Sequence, residues 1–109
     1  MVRVVWTDPA AADLDAIADY IALDKQDAAS RLVRRVYERV EILAEHPEIG
    51  SRVPEVLRSS QYRQLIEPPC RVFYRYDAKI QKVFVLGVMR GEKLFQKRLL
   101  QERDKINER

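Results

Sequence analysis

The sequence holds one cysteine, one histidine and three glycines among 109 residues, and each scarcity removes a class of chemistry. With Cys70 alone there is no intramolecular disulfide and no cysteine-based zinc site, and nothing points to an oxidising compartment. Cys70 reads as a small half-buried residue. So few glycines cannot build a phosphate-cradling loop, which excludes nucleotide hydrolysis by that route. A serine or cysteine nucleophile would need His46 as its base. Its place at the end of a helix marks it instead as a cap on the negative dipole end. The N-terminus, Met1 to Trp6, lacks the apolar stretch and cleavage site of a signal peptide. The longest apolar run, Val83 to Met89, is far short of a membrane span. The expectation is a cytoplasmic protein with no membrane partner.

What is present is a globular composition. Apolar residues make up 47% and charged residues 34%, and a chain of this length buries enough surface for one core. One domain over residues 1–109 is expected. The net charge of +3 comes from 20 basic and 17 acidic residues, a balance too even to indicate nucleic-acid binding by its total. Distribution matters more.

Val2, Val4 and Trp6 alternate with Arg3 and Val5 in the two-residue period of a strand. Asp8 followed by Pro9 reads as a helix start, with Asp8 accepting first-turn N–H groups. Leu14, Ile17, Ala18 and Ile21 share one face of that helix, and Asp13, Asp15 and Asp19 lie around the rest. After a polar break at Leu23 to Asp27, Ala29, Leu32, Val33, Val36, Val40 and Leu43 form the stripe of a second helix running to about His46. Pro47 stops it, and Gly50 marks a turn. Residues 51–60 carry no period and read as a loop. Strands are expected over Gln61 to Glu67, Arg71 to Tyr76 and Lys82 to Met89, the last suited to cover on both faces. A final helix is expected from Glu92, frayed beyond Arg103. The fold class is α+β: an N-terminal strand and an antiparallel helical hairpin packed on a small, mainly antiparallel sheet, with a C-terminal helix.

Asp13, Asp15 and Asp19 lack the further ligand a metal site requires and read as a solvated acidic face. No metal or cofactor is expected. The remaining constellation is basic and aromatic: Arg63, Arg71 and Arg75 on the strands, Arg90, Lys93, Lys97 and Arg98 after the last strand, with Tyr62, Tyr74 and Tyr76 interleaved. Arginine forks suit phosphates and tyrosine rings stack on bases. Equally, the tyrosines can be core and the charges a means of solubility. Composition leaves these two readings level.

Several pieces of the chain, in order, resemble the RelE/ParE superfamily of bacterial type II toxins, also called plasmid stabilisation proteins. They are Val5-Trp6, Pro9-Ala10 before Asp13-Leu14, Ile17 to Ile21, Leu43 to Pro47, Gly50, Arg63, Arg71 to Arg75, and Val85 to Arg90. The resemblance implies a toxin neutralised by a cognate antitoxin encoded beside it, contacting operator DNA only through that antitoxin. It also implies a disordered antitoxin segment that folds into the groove between hairpin and sheet. RelE-like members cut messenger RNA on the ribosome, whereas ParE-like members poison DNA gyrase.

Cleaving RNA through its own 2′-hydroxyl needs a proton acceptor, positive charge for the phosphate and a donor for the leaving oxygen. Arg71 matches the family's arginine on the middle strand, and Arg90, Lys93 and Lys97 would complete a nuclease set. Yet Gly91 stands where RelE-like toxins carry another arginine, and Lys97 stands roughly where they carry a C-terminal tyrosine. Lysines would need strongly lowered pKa values to replace an acid–base pair. The long helical hairpin matches the ParE side, although Met89-Arg90 stands where many ParE-like chains have Leu-His. The resemblance therefore implies a ParE-like toxin that inhibits by binding, through Arg63, Arg71, Arg75, Arg90 and Lys93. The alternatives are a ribosome-dependent endonuclease and a decayed toxin that only binds its antitoxin.

Overall fold

The computed structural model describes residues 1–57, 60–91 and 97–107. Strand β1 (Arg3–Trp6) leads into helix α1 (Asp8–Ala22), and α2 (Gln26–Glu41) follows. A single 3-10 turn (Ile42–Ala44) comes next, then strands β2 (Ser51–Arg52), β3 (Tyr62–Glu67), β4 (Cys70–Asp77) and β5 (Lys82–Arg90), and helix α3 (Lys97–Asn107). One five-stranded sheet has the order β1-β5-β4-β3-β2, with β1 parallel to β5 and the other pairs antiparallel.

The helical hairpin covers one sheet face. Leu14 and Ile17 of α1 and Leu32, Val36 and Val40 of α2 join Leu65, Cys70, Val72, Tyr74, Val83, Val85 and Val88 in the main core. The opposite face has a smaller core of Val53, Val56, Phe73, Leu86 and Leu100, to which α3 contributes. Strand β5 is thus covered on both sides, as its unbroken apolar run requires. Its alternation is interrupted: Phe73 pairs with Gly87 but Tyr74 pairs with Val85, so Leu86 is an extra residue. This β-bulge lets Val85 and Val88, three positions apart, face the same hairpin.

Local differences from the sequence expectations have local causes. Thr7, not Asp8, caps α1: its Oγ1 accepts from Ala10 N at 3.3 Å while its hydroxyl donates to Val85 O at 2.8 Å. Helix α2 ends at Glu41, short of His46, because the chain tightens into the 3-10 turn that buries Leu43. Within the expected loop at 51–60, Ser51 and Arg52 pair with Gln64 and Arg63. Cys70 is fully buried. The final helix continues to Asn107, past the expected fraying point, and its expected start at Glu92 lies outside the described residues.

Gly50 shows why its position tolerates no side chain. Its N–H donates to the Tyr74 hydroxyl at 2.8 Å. A Cβ there would lie 2.5 Å from that oxygen, 2.6 Å from Tyr74 Cε1 and 2.8 Å from Gln64 O. Close approach, not a left-handed turn, explains this glycine.

Candidate functional site

Residues opposed across an antiparallel pair point to the same face, and neighbours along a strand point to opposite faces. Cys70, Val72 and Tyr74 face the hairpin, so Arg71, Phe73 and Arg75 face the other way. Arg90 is opposite Cys70 and Arg63 is opposite Tyr74, which places both on the hairpin side. The sheet therefore divides the arginines that the sequence suggested as a single surface.

Arg71 lies in a fixed polar cluster. Its Nη1 and Nη2 each donate to the Glu55 carboxylate at 2.8 Å. Its Nε and Nη2 also donate to Gln64 Oε1, at 3.1 and 2.7 Å. The guanidinium lies 4.9 Å from the Phe73 ring centroid, a cation–π distance. Glu55 comes from the segment after β2, whose flanking Val53 and Val56 are buried in the smaller core. The Arg71 hydrogen bond holds the Glu55 carboxyl below its ordinary range, outweighing the opposing effect of burial.

Arg75 corrects the expectation of a surface role. It is 5% exposed, its Nε donates to Asp104 Oδ1 at 2.8 Å, and its guanidinium lies 5.0 Å from the Phe84 ring centroid. The Tyr62 hydroxyl donates to the other Asp104 oxygen at 3.3 Å. Arg75 is an anchor for α3, and a buried charge of this kind needs its partner. Tyr74, read as a possible stacking ring, is fully buried, and burial pushes its hydroxyl pKa up.

On the hairpin side, the Arg90 guanidinium lies 5.1 Å from the ring centroid of Tyr20, which is 64% exposed. Arg63 is turned toward the loop before β2, its Nη1 donating to Glu48 O at 3.0 Å and Gly50 O at 2.9 Å. Lys93 lies outside the described residues, and Lys97 is placed by its backbone alone, at the start of α3. Arg71 and Arg90 are thus not brought together.

Sequence reading missed the polar contacts that fix the C-terminal helix. Asp13, expected on a solvated face, accepts from Val88 N at 3.0 Å and from Arg103 at 2.6 and 3.2 Å. Arg103 also donates to Leu86 O at 3.0 Å. These groups occupy the flank of β5 beyond the end of β1. The available signal was Gly87 inside an apolar strand, since a Cβ there would lie 2.7 Å from Arg103 Nη1 and 3.3 Å from Asp13 Oδ2. Among the described residues, no three His, Cys, Asp or Glu side chains gather as a metal-binding group, and no helix is long and apolar enough to cross a membrane.

The ParE toxin family of the type II toxin–antitoxin system parDE matches residues 4–95. The chain belongs to this family. Toxin RelE2 of Caulobacter vibrioides is 40% identical over 78 residues, spanning 72% of this chain and 83% of that protein. Among solved structures, the chromosomal ParDE toxin–antitoxin system of P. aeruginosa matches with a TM-score of 0.68 at 30% identity, covering 84% of this chain and 98% of that one. The RelBE2 toxin–antitoxin complex of Mycobacterium tuberculosis shares the fold, with a TM-score of 0.62 at 20% identity over 82% of this chain and 96% of that one. This type II toxin thus has the α+β architecture of the RelE/ParE superfamily, and its solved structural neighbours come from toxin–antitoxin systems.

Proposed function

We propose that this toxin inhibits growth in the ParE manner, by binding a target such as DNA gyrase in the cytoplasm. A cognate antitoxin made from an adjoining gene neutralises it and links it to operator DNA. The observation that carries the proposal is the separation of Arg71 and Arg90 onto opposite sheet faces. In-line cleavage of RNA requires a base, an acid and a cation around one phosphate. Here Arg71 is engaged by Glu55 and Gln64, Arg75 is buried on Asp104, and Arg90 lies against Tyr20. An exposed tyrosine beside an arginine is instead a pairing of side chains that protein interfaces favour. Tyr20, Arg90 and, following them in sequence, Lys93 form the target-binding candidate, with Arg63 as a further contact on the hairpin side; Arg71, on the other face, belongs to a separate contact.

Induction of the toxin without its antitoxin should arrest growth, and the purified protein should inhibit supercoiling by gyrase or trap cleaved DNA. Growth arrest with normal supercoiling and no trapped DNA would remove gyrase as the target. The name of the Caulobacter relative supports a second reading, a RelE-like endonuclease using Arg71, Arg90, Lys93 and Lys97. It requires codon-positioned messenger cuts that vanish in Arg71→Ala, and primer extension showing intact messengers during arrest excludes it. Unimpaired growth together with normal antitoxin binding would indicate a decayed toxin.

A further inference from the structure

We propose that Arg71 and Gln64 form a recognition site for a carboxylate of the cognate antitoxin, and that the toxin's own Glu55 occupies this site until the antitoxin displaces it. The proposal rests on the antitoxin partnership described above, and it places this contact on the sheet face turned away from the hairpin, apart from the groove expected to take the folding segment.

The site is rigid where a receptor should be. Gln64 is buried on β3, its Oε1 accepts both Arg71 Nε and Nη2, and the Phe73 ring backs the guanidinium. The outward fork of Arg71 meets Glu55 in the two-point geometry that guanidinium and carboxylate share. The occupant is the less constrained member of the pair. The side chain of Glu55 is 38% exposed against 16% for Arg71, and it comes from a turn rather than from the sheet.

Among the described residues, the surroundings suit a carboxylate on a protein better than a nucleic-acid backbone. A phosphate chain is held by successive cations along its path. Among the described residues, the other arginine on this face of β4, Arg75, is buried on Asp104, and Arg90 lies on the hairpin side. One planar fork beside a neutral amide suits a single Asp or Glu side chain.

Exchange of one carboxylate for another makes Glu55 a competitor of the antitoxin. The two halves of one ion pair should then have opposite effects on affinity. Calorimetric titration with the protein encoded by the reading frame adjoining the toxin gene tests this directly. Arg71→Ala should weaken binding about tenfold or more, whereas Glu55→Ala and Glu55→Gln should each tighten it by roughly threefold to tenfold. If the pair is only a structural clip, all three substitutions weaken binding or none alters it, and either pattern overturns the proposal while the complex itself persists. If the unsubstituted toxin fails to bind that protein at all, the antitoxin reading falls, and the proposal with it.

Discussion

Substituting Gly50 by alanine should be among the most damaging single-methyl additions to this fold. The new Cβ would penetrate the Tyr74 ring edge at 2.6 Å and the hydroxyl at 2.5 Å, and Tyr74 is fully buried. The Cβ cannot turn away from the ring either, because it would lie 2.8 Å from Gln64 O. Overpacking of this kind costs about 1–3 kcal/mol. Displacing the loop also breaks the Gly50 N–H bond to the Tyr74 hydroxyl and leaves buried polar groups unpaired, costing a further ~1–3 kcal/mol. A loss of about 3 kcal/mol corresponds to a fall in Tm of roughly 12 °C or more for a domain of this size, measurable by thermal or urea denaturation followed by circular dichroism. Tyr74→Phe separates the contributions: it removes the hydroxyl but leaves Cε1 and Gln64 O in place. The double variant should therefore remain more than about 1 kcal/mol less stable than Tyr74→Phe alone. A Gly50→Ala protein melting within two or three degrees of the parent, on the same size scaling, would refute the close-approach argument, as would full rescue in the double variant.

Asp104→Ala removes the partner that α3 supplies to Arg75, while Asp77 remains 3.6 Å away, and should cost about 1.5–3 kcal/mol in urea unfolding; an undiminished midpoint would show that α3 is held by other contacts. Thr7→Val removes both the cap of α1 and the hydroxyl bond to Val85 O, for an expected loss of about 1 kcal/mol. The pH limits of stability follow from two groups. Glu55 has a carboxyl pKa below its ordinary 4.5, so its contribution is present above pH 4.5 and is lost as pH falls through the lowered value, loosening the turn after β2. The protection of the Val56 amide against hydrogen exchange, relative to its intrinsic rate at each pH, should fall over that range in the parent and change less in Glu55→Gln. Tyr74 has a hydroxyl pKa raised above 10.0, so its contribution is intact below pH 10 and is lost as pH rises through the raised value. Alkaline unfolding should therefore begin later in Tyr74→Phe than in the parent.

The parts of the fold legible in the sequence are those written as repeated apolar spacing. The α1 and α2 stripes, the apolar run of β5 and the α+β order all come from residues whose burial is local to their own element. What was missed depends on partners remote in sequence. Strand β2 has two residues and no period of its own, and it exists through pairing with β3. The charge on Arg75 suggested an outward side chain, yet its partner Asp104 lies 29 residues further on. Arg71 could be identified by resemblance, but Glu55 could not, because a bidentate grip from a turn leaves no pattern in the intervening residues. Asp13 looked like one acid among three on a helix, and only the space over Gly87 distinguishes it.

The separations of these contacts also constrain how the chain can assemble during synthesis. Thr7 waits 78 residues for Val85, and Asp13 waits 90 for Arg103. A nascent chain that ends before β5 contains the helical hairpin and the strands β2, β3 and β4, but it has no neighbour for β1 and lacks the strand that lies between β1 and β4. The sheet is therefore completed late, when β5 joins β1 to β4 through the closure of a long loop. The sheet faces that carry Arg71 and Arg90 are thus complete only after every other strand of the sheet has been made.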